Sequence, residues 1–476
     1  MLVADLLRVV SKGLLVLVLA RFLLTPEGYG LLFFALAILG TTKLFTNFGL
    51  PKSTARYVTE HVETAPGQVP HLLRFSFGLN AVTIGLVCLG LFLGSGAIAS
   101  FLGEPALAPL LVIGTGFVVG RSLESHTMVL FQAFNDVRWS ALVRTVSSFG
   151  QLVLAMALVL LGFGVAGALS GFVLGAVLAA AVGTVVLYGR FYRDYDPAER
   201  MAPSLPGRVL RYSVPLTATG VANLLDKRVD AILVGYFMNP VAVGYYTLAK
   251  QISEFVMTPA ASLGFTVSPQ YGTYKATGDL AEAATLYRRA FTGIVTLYVP
   301  AAAGMALVAG PGVRFVFGAE YLGAVPAVQV FGLYTLLLAL DKITNDGLDY
   351  LGRASARAAA KTVTSVANVG LNLVLIPAYG VVGAAVATVI TVSVLVGVEL
   401  FVVVRELPLS ATALAYDTGR AGVITAVMSG VVLALLPYVS GLGTLAALVG
   451  AGLGVWAVLA TLSGVIDPVE VRAVLG

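Results

Sequence analysis

Residues 166–187 read AGALSGFVLGAVLAAAVGTVVL, a stretch of twenty-two residues without a charged side chain. A helix needs about 20 consecutive apolar residues to cross a bilayer, because the hydrocarbon core is about 30 Å thick and each residue adds about 1.5 Å. The stretch therefore predicts a transmembrane helix. The same pattern recurs on both sides of it along the whole chain.

The composition of the 476-residue chain points to lipid as its solvent. Apolar residues make up 58% of it and charged residues only 11%, and the mean hydropathy is +0.94. Soluble domains carry about 25% charged residues, so these few charges could not cover a water-soluble surface. The net charge of +5 comes from scattered Lys and Arg without a basic run, and we expect no nucleic-acid partner.

Apolar stretches long enough to cross a bilayer alternate with short polar breaks. We predict about fourteen spans in an all-α polytopic membrane protein, with no gap large enough for a soluble domain. The spans lie near 3–24, 28–50, 72–101, 106–132, 139–161, 166–190, 205–238, 241–270, 283–309, 325–348, 357–376, 380–404, 415–437 and 443–465.

The breaks alternate between charged and nearly uncharged segments, which predicts the orientation. Cytoplasmic loops are rich in Lys and Arg, so the charged set faces the cytoplasm, and with an even number of spans both termini do too. The charged set holds Lys52, Arg56, Arg74, Arg138, Arg144, Arg190, Arg193, Arg200, Arg208, Arg211, Lys275, Arg288, Arg289, Arg353, Arg357, Lys361, Arg405 and Arg420. The other set holds one clear cation, Arg314.

Three pairs of motifs indicate an internal repeat. PEGYG (26–30) matches PVAVG (240–244), VRTVSS (143–148) matches AKTVTS (360–365), and GVAGA (164–168) matches GVVGA (380–384), at offsets between 214 and 217 residues. We predict two parallel six-helix lobes plus two C-terminal helices. The predicted lobes are 1–190 and 209–405, joined by a cytoplasmic linker at 191–208, and 406–476 holds the two additional helices and a short tail.

Parallel repeats place a substrate site at the interface of the lobes near the membrane midplane, and rocking of the lobes gives alternating access. Charged groups inside the spans are the candidates to line it, since each costs roughly 2.5–3.5 kcal/mol at mid-helix. We predict a cationic cavity that binds an anion such as a phosphate-bearing lipid, because fixed cations concentrate negative charge and Arg holds phosphate bidentately. Its members are Arg21, Lys43, Lys227, Arg228 and Lys250.

A second set of charged residues could tune these cations or couple transport to an ion. It comprises Asp226, Asp230, Glu254, Arg121, Glu124, Asp341 and Lys342. The alternative is structural, with Arg121–Glu124 and Asp341–Lys342 as salt bridges within each lobe. Glu124 and Asp341 are equivalent under the repeat.

Nothing in the sequence predicts an enzyme or a cofactor site. Cys88 is the single cysteine, and the three histidines are too far apart for metal-ligand spacing. We find no nucleophile–base set, and the breaks opposite the charged set are too short for an active-site loop. We therefore predict no metal and no cofactor.

Several segments resemble the polysaccharide-biosynthesis flippases of the multidrug/oligosaccharidyl-lipid/polysaccharide exporter superfamily. They are KGLLVLVLARFLLTPEGYGLL (12–32), NFGLPKSTARYV (47–58), LRYSVPLTATGVANLLDKRVDAILVGYFMNPVAVGYYTLA (210–249), FGAEY (317–321) and GVVGAAVAT (380–388). The resemblance covers essentially the whole chain. Related flippases for the peptidoglycan precursor use cavity arginines and an acid in the first two helices, where this chain has Arg21 and Lys43 but no acid in the second.

The resemblance implies a multi-pass protein of the cell membrane that moves a polyprenyl-phosphate- or polyprenyl-pyrophosphate-linked sugar from the cytoplasmic to the outer leaflet. Its implied partners are the lipid-linked sugar and membrane lipids. Glycosyltransferases or a polymerase of the same pathway and a coupling cation are further candidates. Two alternatives remain open, a cation-coupled multidrug antiporter of the same superfamily and a membrane scaffold for glycosyltransferases without transport.

Overall fold

The computed structural model describes residues 2–224 and 228–464, and within these it leaves undescribed the side chains of 2–7, 218, 219, 222, 223 and 261–268. Every regular element of the described chain is helical, which confirms the all-α prediction. The fold divides into two compact units, Met1–Gly244 and Tyr245–Gly476. The tail predicted after the last helix lies beyond the described residues.

The first unit contains ten α-helices and part of an eleventh among the described residues. They are α1 Leu2–Val18, α2 Pro26–Asn47, α3 Leu50–Thr64, α4 Val69–Phe101, α5 Leu107–Ile113, α6 Thr115–Ala133, α7 Val137–Leu158, α8 Gly164–Leu187, α9 Leu205–Leu224, α10 Asp230–Phe237 and the start of α11 Pro240–Val256. Short π-helical turns follow α1, α7 and α8, at Leu19–Leu23, Val159–Phe163 and Tyr188–Tyr192.

The second unit begins within α11 and, like the first, consists of α-helices joined by short helical turns. Its helices are α12 Thr258–Thr277, α13 Leu280–Leu307, α14 Ala309–Gly312, α15 Val325–Tyr350, α16 Ala354–Glu406, α17 Ala411–Leu435 and α18 Leu442–Leu462. A π-helical turn at Val313–Phe317 and a 3₁₀ turn at Ala319–Ala324 lead into α15.

Eight helical segments of the described chain are long and apolar enough to cross a membrane, and the pair α5–α6, bent by 41°, makes a ninth. Two of the eight, Val137–Tyr192 and Ala354–Glu406, have 56 and 53 residues, and each is long enough for two crossings of about 20 residues. The multi-pass architecture is thus confirmed. The number fourteen, the orientation and the lobe boundaries stay predictions.

The long helix α4 shows that lipid surrounds the protein. Only 17% of the most apolar window of its segment is buried. Leu86, Phe92 and Leu93 point outward with most of their surface exposed. A helix in water turns such residues toward a core, because burying a Leu or Phe side chain is worth about 1.5–3 kcal/mol. An apolar outer face is stable only against hydrocarbon.

One predicted span differs in detail from the structure. The span predicted at 241–270 is divided between α11 and α12, because Pro259 sits in the first turn of α12 and lacks the N–H that a continuous helix would need. The span predicted at 205–238 includes residues 225–227, which lie outside the described chain, and its continuity stays a prediction.

Helix α3 occupies a segment that the sequence pattern left as a loop. Its buried face packs on α9, where the hydroxyl of Ser53 donates to the carbonyl of Val209 at 2.7 Å. At its far end Arg208 pairs with Glu60 at 2.7 Å and lowers the pKa of that exposed carboxyl. Helix α3 is therefore fixed to the start of α9.

The two C-terminal helices, α17 and α18, are joined to the rest of the second unit by polar contacts with α13. The carboxylate of Asp417 on α17 is buried and accepts from Arg288 at 3.0 Å and from Thr292 at 2.9 Å. The indole N–H of Trp456 on α18 donates to the carbonyl of Thr296 at 2.7 Å. Both helices are therefore held to α13 at defined positions.

The repeat motifs form the same backbone turn in each unit. Gly164 has φ 52° and ψ −134°, and Gly380, its equivalent, has φ 59° and ψ −137°. Only glycine adopts this region without strain. Three residues later the chain again has a glycine. A methyl group added at Gly167 would lie 2.9 Å from the carbonyl oxygen of Leu158, and one added at Gly383 would lie 2.0 Å from that of Leu375. The turn thus brings two consecutive helices into close contact in both halves.

We expect Gly164→Ala and Gly380→Ala each to lower the free energy of unfolding by about 1–3 kcal/mol, because alanine is strained at this φ and ψ. The measurement is the thermal unfolding midpoint of the purified protein in detergent. Gly370→Ala, in a helical part of α16 with open space around it, is the control. An unchanged midpoint in both turn variants would contradict the role given to the turn.

Candidate functional site

A group of cations meets inside the first unit, on α2, α6 and the turn before α10. Lys43 on α2 lies within electrostatic range of Arg121 and Glu124 on α6 and of Arg228. The guanidinium of Arg228 packs against the bare face of α2 at Gly40, where an added methyl group would lie 2.9 Å from its Nε atom. Gly40 and Lys43 are three residues apart and share that face of the helix.

A single acid lies in this group. Glu124 is 4% exposed, and both its oxygens accept from the Nη1 atom of Arg121, at 2.9 and 2.8 Å. The predicted Arg121–Glu124 ion pair is thus confirmed. Arg121 keeps 40% of its side chain exposed, so the pair still presents N–H donors outward.

We call Lys43, Arg121, Arg228 and Glu124 the cationic cluster. Its three cations come from three different helical elements. Like charges held close together repel one another, and an anion relieves that repulsion. Lys43 and Arg228 are exposed, so an incoming anion can reach them. The arrangement is suited to bind a phosphate or pyrophosphate group.

The other predicted cavity residues of the first unit are placed differently. Arg21 lies in the π-helical turn after α1 with an exposed side chain, and within the described chain it forms no hydrogen bond or ion pair. Asp230 is buried at the first position of α10. Asp226 and Lys227 lie outside the described residues. The structure therefore assembles two of the five predicted cations, Lys43 and Arg228, and adds Arg121.

The second unit holds the remaining candidates. The ammonium group of Lys250 lies over the ring of Tyr246, 5.6 Å from its centroid, and Glu254 is exposed one turn later on α11. Lys342 pairs with Asp346 at 2.6 Å, and the predicted Asp341–Lys342 ion pair stays a prediction. Residues i and i+4 share a helix face, whereas adjacent residues point in different directions.

Asp341 also lies within electrostatic range of a second acid, Glu399, in the part of α16 that follows Gly380. Glu399 is 1% exposed and so is buried inside the second unit. The sequence places both residues inside spans but gives no signal that they lie close together.

A buried chain of hydrogen bonds beneath the cationic cluster was also missed by the sequence analysis. The amide of Asn80 on α4 donates to the carbonyl of Thr46 on α2 at 2.8 Å and contacts His126 on α6. Ser76 bridges His126 and Thr54 on α3, at 2.8 and 2.7 Å. The available signal was the spacing of polar residues four apart in apolar helices, Ser76 with Asn80 and Ser122 with His126.

This buried chain fixes the helices that carry the cluster. Ser122, next to Arg121, donates to the Oδ1 atom of Asn47, one turn after Lys43. Interhelical hydrogen bonds in a low-dielectric interior hold helices in one register, because leaving any member unpaired costs about 1–3 kcal/mol. The polar residues therefore set the distance between the cation on α2 and the cation on α6.

A groove of about 580 Å³ lies between α17 and α18. Apolar side chains dominate its wall, and Tyr416 and Arg420 are its larger polar members. Its lining is that of a surface in contact with lipid chains, as expected for two helices at the edge of a membrane protein.

Sequence comparison identifies the family. A profile of the family described as "Polysaccharide biosynthesis protein" matches residues 7–268, more than half of the chain and all of the cationic cluster. The chain belongs to this family. It is a multi-pass protein of the cell membrane.

Individual relatives are distant. The "Probable low-salt glycan biosynthesis flippase Agl15" of Haloferax volcanii is 24% identical over 39% of this chain and 39% of its own length. The "Lipopolysaccharide biosynthesis protein WzxC" of Escherichia coli is 23% identical over 69% of this chain and 64% of its own length. An uncharacterised membrane protein of Methanocaldococcus jannaschii, MJ1375, is 23% identical over 80% of this chain and 91% of its own.

Solved structures share the fold. The lipid II flippase MurJ in an inward closed conformation matches with a TM-score of 0.78 and 16% identity, over 97% of this chain and 98% of its own. An inward-facing multidrug transporter of the MATE family matches with a TM-score of 0.68 and 15% identity, over 84% of this chain and 94% of its own. These likenesses establish the fold of the superfamily expected from the sequence.

We expect Ser76→Ala to lower the free energy of unfolding by about 1–3 kcal/mol, because the hydroxyl of Thr54 and a ring nitrogen of His126 lose their partner inside the unit. The measurement is the same thermal unfolding midpoint in detergent. Ser95→Ala, on the same helix, is the matched control, since Ser95 donates only to Phe92 of its own helix. Equal effects of the two substitutions would show that the buried chain of hydrogen bonds contributes no stability.

Proposed function

We propose that this protein is a flippase for a polyprenyl-phosphate- or polyprenyl-pyrophosphate-linked sugar, which it moves from the cytoplasmic to the outer leaflet. The observation that carries the proposal is the grouping of the cations Lys43, Arg121 and Arg228 inside a membrane-embedded unit. A lipid-linked sugar is a membrane solute whose charged part is a phosphate or pyrophosphate ester. No covalent step is involved, so the protein acts as a transporter.

In the proposed mechanism the cluster binds the phosphate while the sugar occupies the polar space beside it and the prenyl chain stays in the bilayer. Arg121 and Arg228 supply paired N–H donors that fit phosphate oxygens, and Lys43 adds a compact charge. Moving a phosphate into the protein without hydrogen-bond or ionic partners would cost too much free energy. The cations of the cluster offset that cost when the phosphate is bound. Alternating access of the two lobes then exposes the bound group to the outer side.

The comparisons support this function through the printed descriptions of the relatives. Agl15 is described as a probable glycan biosynthesis flippase, WzxC as a lipopolysaccharide biosynthesis protein, and MurJ as a lipid II flippase. The three descriptions concern glycans or lipid-linked precursors. The proposal assigns anion binding to Lys43, Arg121 and Arg228 and involves no cofactor.

A cation-coupled multidrug antiporter is the second candidate, favoured by the fold likeness to the MATE transporter. A site for cationic drugs would need an excess of acids. The cluster has the opposite charge, so the flippase accounts better for it.

We expect the double variant Lys43→Gln/Arg228→Gln to abolish surface glycan and to leave the lipid-linked sugar in the cytoplasmic leaflet. Two of the three positive charges that face the phosphate are then missing. The measurement is the leaflet distribution of the lipid-linked sugar in cells that depend on this protein, with protein level checked by immunoblot.

The matched control is Lys52→Gln/Arg193→Gln, which removes two exposed cations outside the cluster. It should retain surface glycan. Normal glycan in the Lys43→Gln/Arg228→Gln cells would refute the phosphate role of the cluster. If the Lys43→Gln/Arg228→Gln cells lose resistance to cationic drugs and keep their surface glycan, the antiporter is supported.

We expect Glu124→Gln to bind inorganic pyrophosphate several-fold more tightly than the native protein, because the only negative charge of the cluster is removed. Isothermal titration calorimetry of the protein in detergent at low ionic strength measures this directly. Glu63→Gln, an exposed acid on α3, should leave the dissociation constant unchanged. Weaker binding by Glu124→Gln would mean that the carboxylate positions Arg121 more than it competes with the anion.

A further inference from the structure

Helix α3 lies at a boundary of the membrane. It connects α2 to α4, and both of those helices belong to segments that are long and apolar enough to cross the bilayer. Helix α9, on which α3 packs, exposes 45% of Leu210 and 69% of Val214, so this helix borders hydrocarbon soon after it begins. The junction of α3 with the start of α9 is therefore at the depth of the lipid headgroups, which flank the hydrocarbon core.

Two arginines at this junction are stacked on tyrosine rings. The Cζ atom of Arg56 on α3 lies 4.2 Å from the centroid of the Tyr212 ring on α9. That of Arg208 on α9 lies 4.7 Å from the centroid of Tyr57 on α3. The two rings meet edge to face, with centroids 6.3 Å apart. All these distances are in the range of cation–π and aromatic contacts. We call the four residues the arginine–tyrosine cluster.

The two arginines differ in what their N–H groups bind. Arg208 pairs with Glu60 at 2.7 Å. Arg56 is exposed and makes no hydrogen bond or ion pair within the described chain, and Glu60, an acid in its electrostatic range, is already bonded to Arg208. A guanidinium that lies flat on a ring directs its N–H donors outward along its own plane. Arg56 therefore presents a positioned set of donors at the headgroup level.

The chemistry of these donors fits a phosphate diester. The planar fork of a guanidinium binds two phosphate oxygens at once, and stacking on tyrosine fixes its orientation before the ligand arrives. Basic residues on a surface helix next to a membrane span attract anionic lipids, because the phosphates of the bilayer are concentrated at that depth. A ligand dissolved in the aqueous phase has no such advantage. The position of Arg56 favours a lipid headgroup as its ligand.

We propose that the arginine–tyrosine cluster binds the phosphate of an anionic phospholipid, and that this lipid holds α3 to the membrane surface. Arg56 donates to the phosphate oxygens, Tyr212 keeps its guanidinium flat, and Arg208 adds positive charge beside it. The cluster shares no residue with the cationic cluster. The proposal therefore does not rest on the flippase function.

The test is native mass spectrometry of the full-length protein in detergent, titrated with phosphatidylglycerol. Phosphatidylcholine with the same acyl chains is the reference for a headgroup without net charge. The native protein should bind phosphatidylglycerol more tightly. Arg56→Gln should weaken that binding about five-fold, as expected for the loss of one cation near a membrane surface, and leave phosphatidylcholine unchanged. Arg193→Gln removes the same charge from an exposed position of the linker and should bind as the native protein does.

Two further pairs of variants separate geometry from charge. Arg56→Lys keeps the positive charge and loses the planar fork, so it should bind phosphatidylglycerol more weakly than the native protein. Tyr212→Leu should also weaken binding, because it removes the ring on which Arg56 is stacked, whereas Tyr212→Phe keeps the ring and should bind normally. The thermal unfolding midpoint of each variant shows that the comparison is made between folded proteins.

Three results would overturn the proposal. The first is native affinity of Arg56→Gln or Arg56→Lys for phosphatidylglycerol. The second is an equal loss in Arg193→Gln, which would show a general attraction to a positive surface. The third is binding of a prenyl phosphate that depends on Arg56 while phosphatidylglycerol does not bind, which would assign the cluster to the transported lipid. Normal phosphatidylglycerol binding by a native protein that flips no lipid-linked sugar would refute the flippase and support the phospholipid site.

Discussion

Every charge inside this protein must be balanced where water is scarce, and the fold can be understood from how each one is balanced. Glu124 is paired with Arg121 within α6, and Asp417 on α17 is paired with Arg288 on α13, so that the second buried carboxylate also holds two helices together. Such pairs are costly to bury and costly to break, because removing one partner leaves an isolated charge in a low-dielectric medium. The cationic cluster brings Lys43, Arg121 and Arg228 together around Glu124, an arrangement that suits a ligand of opposite charge.

The repeat gives both units one backbone plan and leaves their charges free to differ. The turn at Gly164 and Gly380 has the same φ and ψ in each half, so the helices after it pack in the same way. On that common frame the two units carry different side chains next to an equivalent acid. Glu124 has Arg121 three residues before it, whereas Asp341 has Leu338 at that position.

Much of the fold could be predicted from the sequence, because a bilayer imposes length and apolarity on every span. The breaks near Gly164 and Gly380 were predicted because polar or glycine-rich residues interrupt apolar runs. The bend of 41° at Gly114, inside the span predicted at 106–132, was missed. The division of 241–270 was missed, since Pro259 lies inside an otherwise apolar stretch and proline is tolerated in many membrane helices. Helix α3 was missed because it is amphipathic and does not reach the apolarity of a span.

The candidate site was less predictable than the fold. Lys43 and Arg228 were selected because they are cations inside spans, but composition does not say which of several such cations meet. Arg121 was treated as part of a salt bridge, and it is both in that bridge and in the cluster. The proximity of Asp341 to Glu399 brings together residues 58 positions apart through tertiary packing, which no local pattern encodes.

The pairing of Arg288 with Asp417 has a consequence for the order of events during synthesis. The two residues are 129 positions apart, and a ribosome that adds about 5–20 residues per second needs roughly 6–26 s to cover that interval. Helix α13 therefore enters the membrane before the acid that will neutralise its arginine exists. Until α17 emerges, Arg288 has to stay near the aqueous boundary or accept a lipid phosphate, and the nascent chain passes through a state that the finished protein never shows.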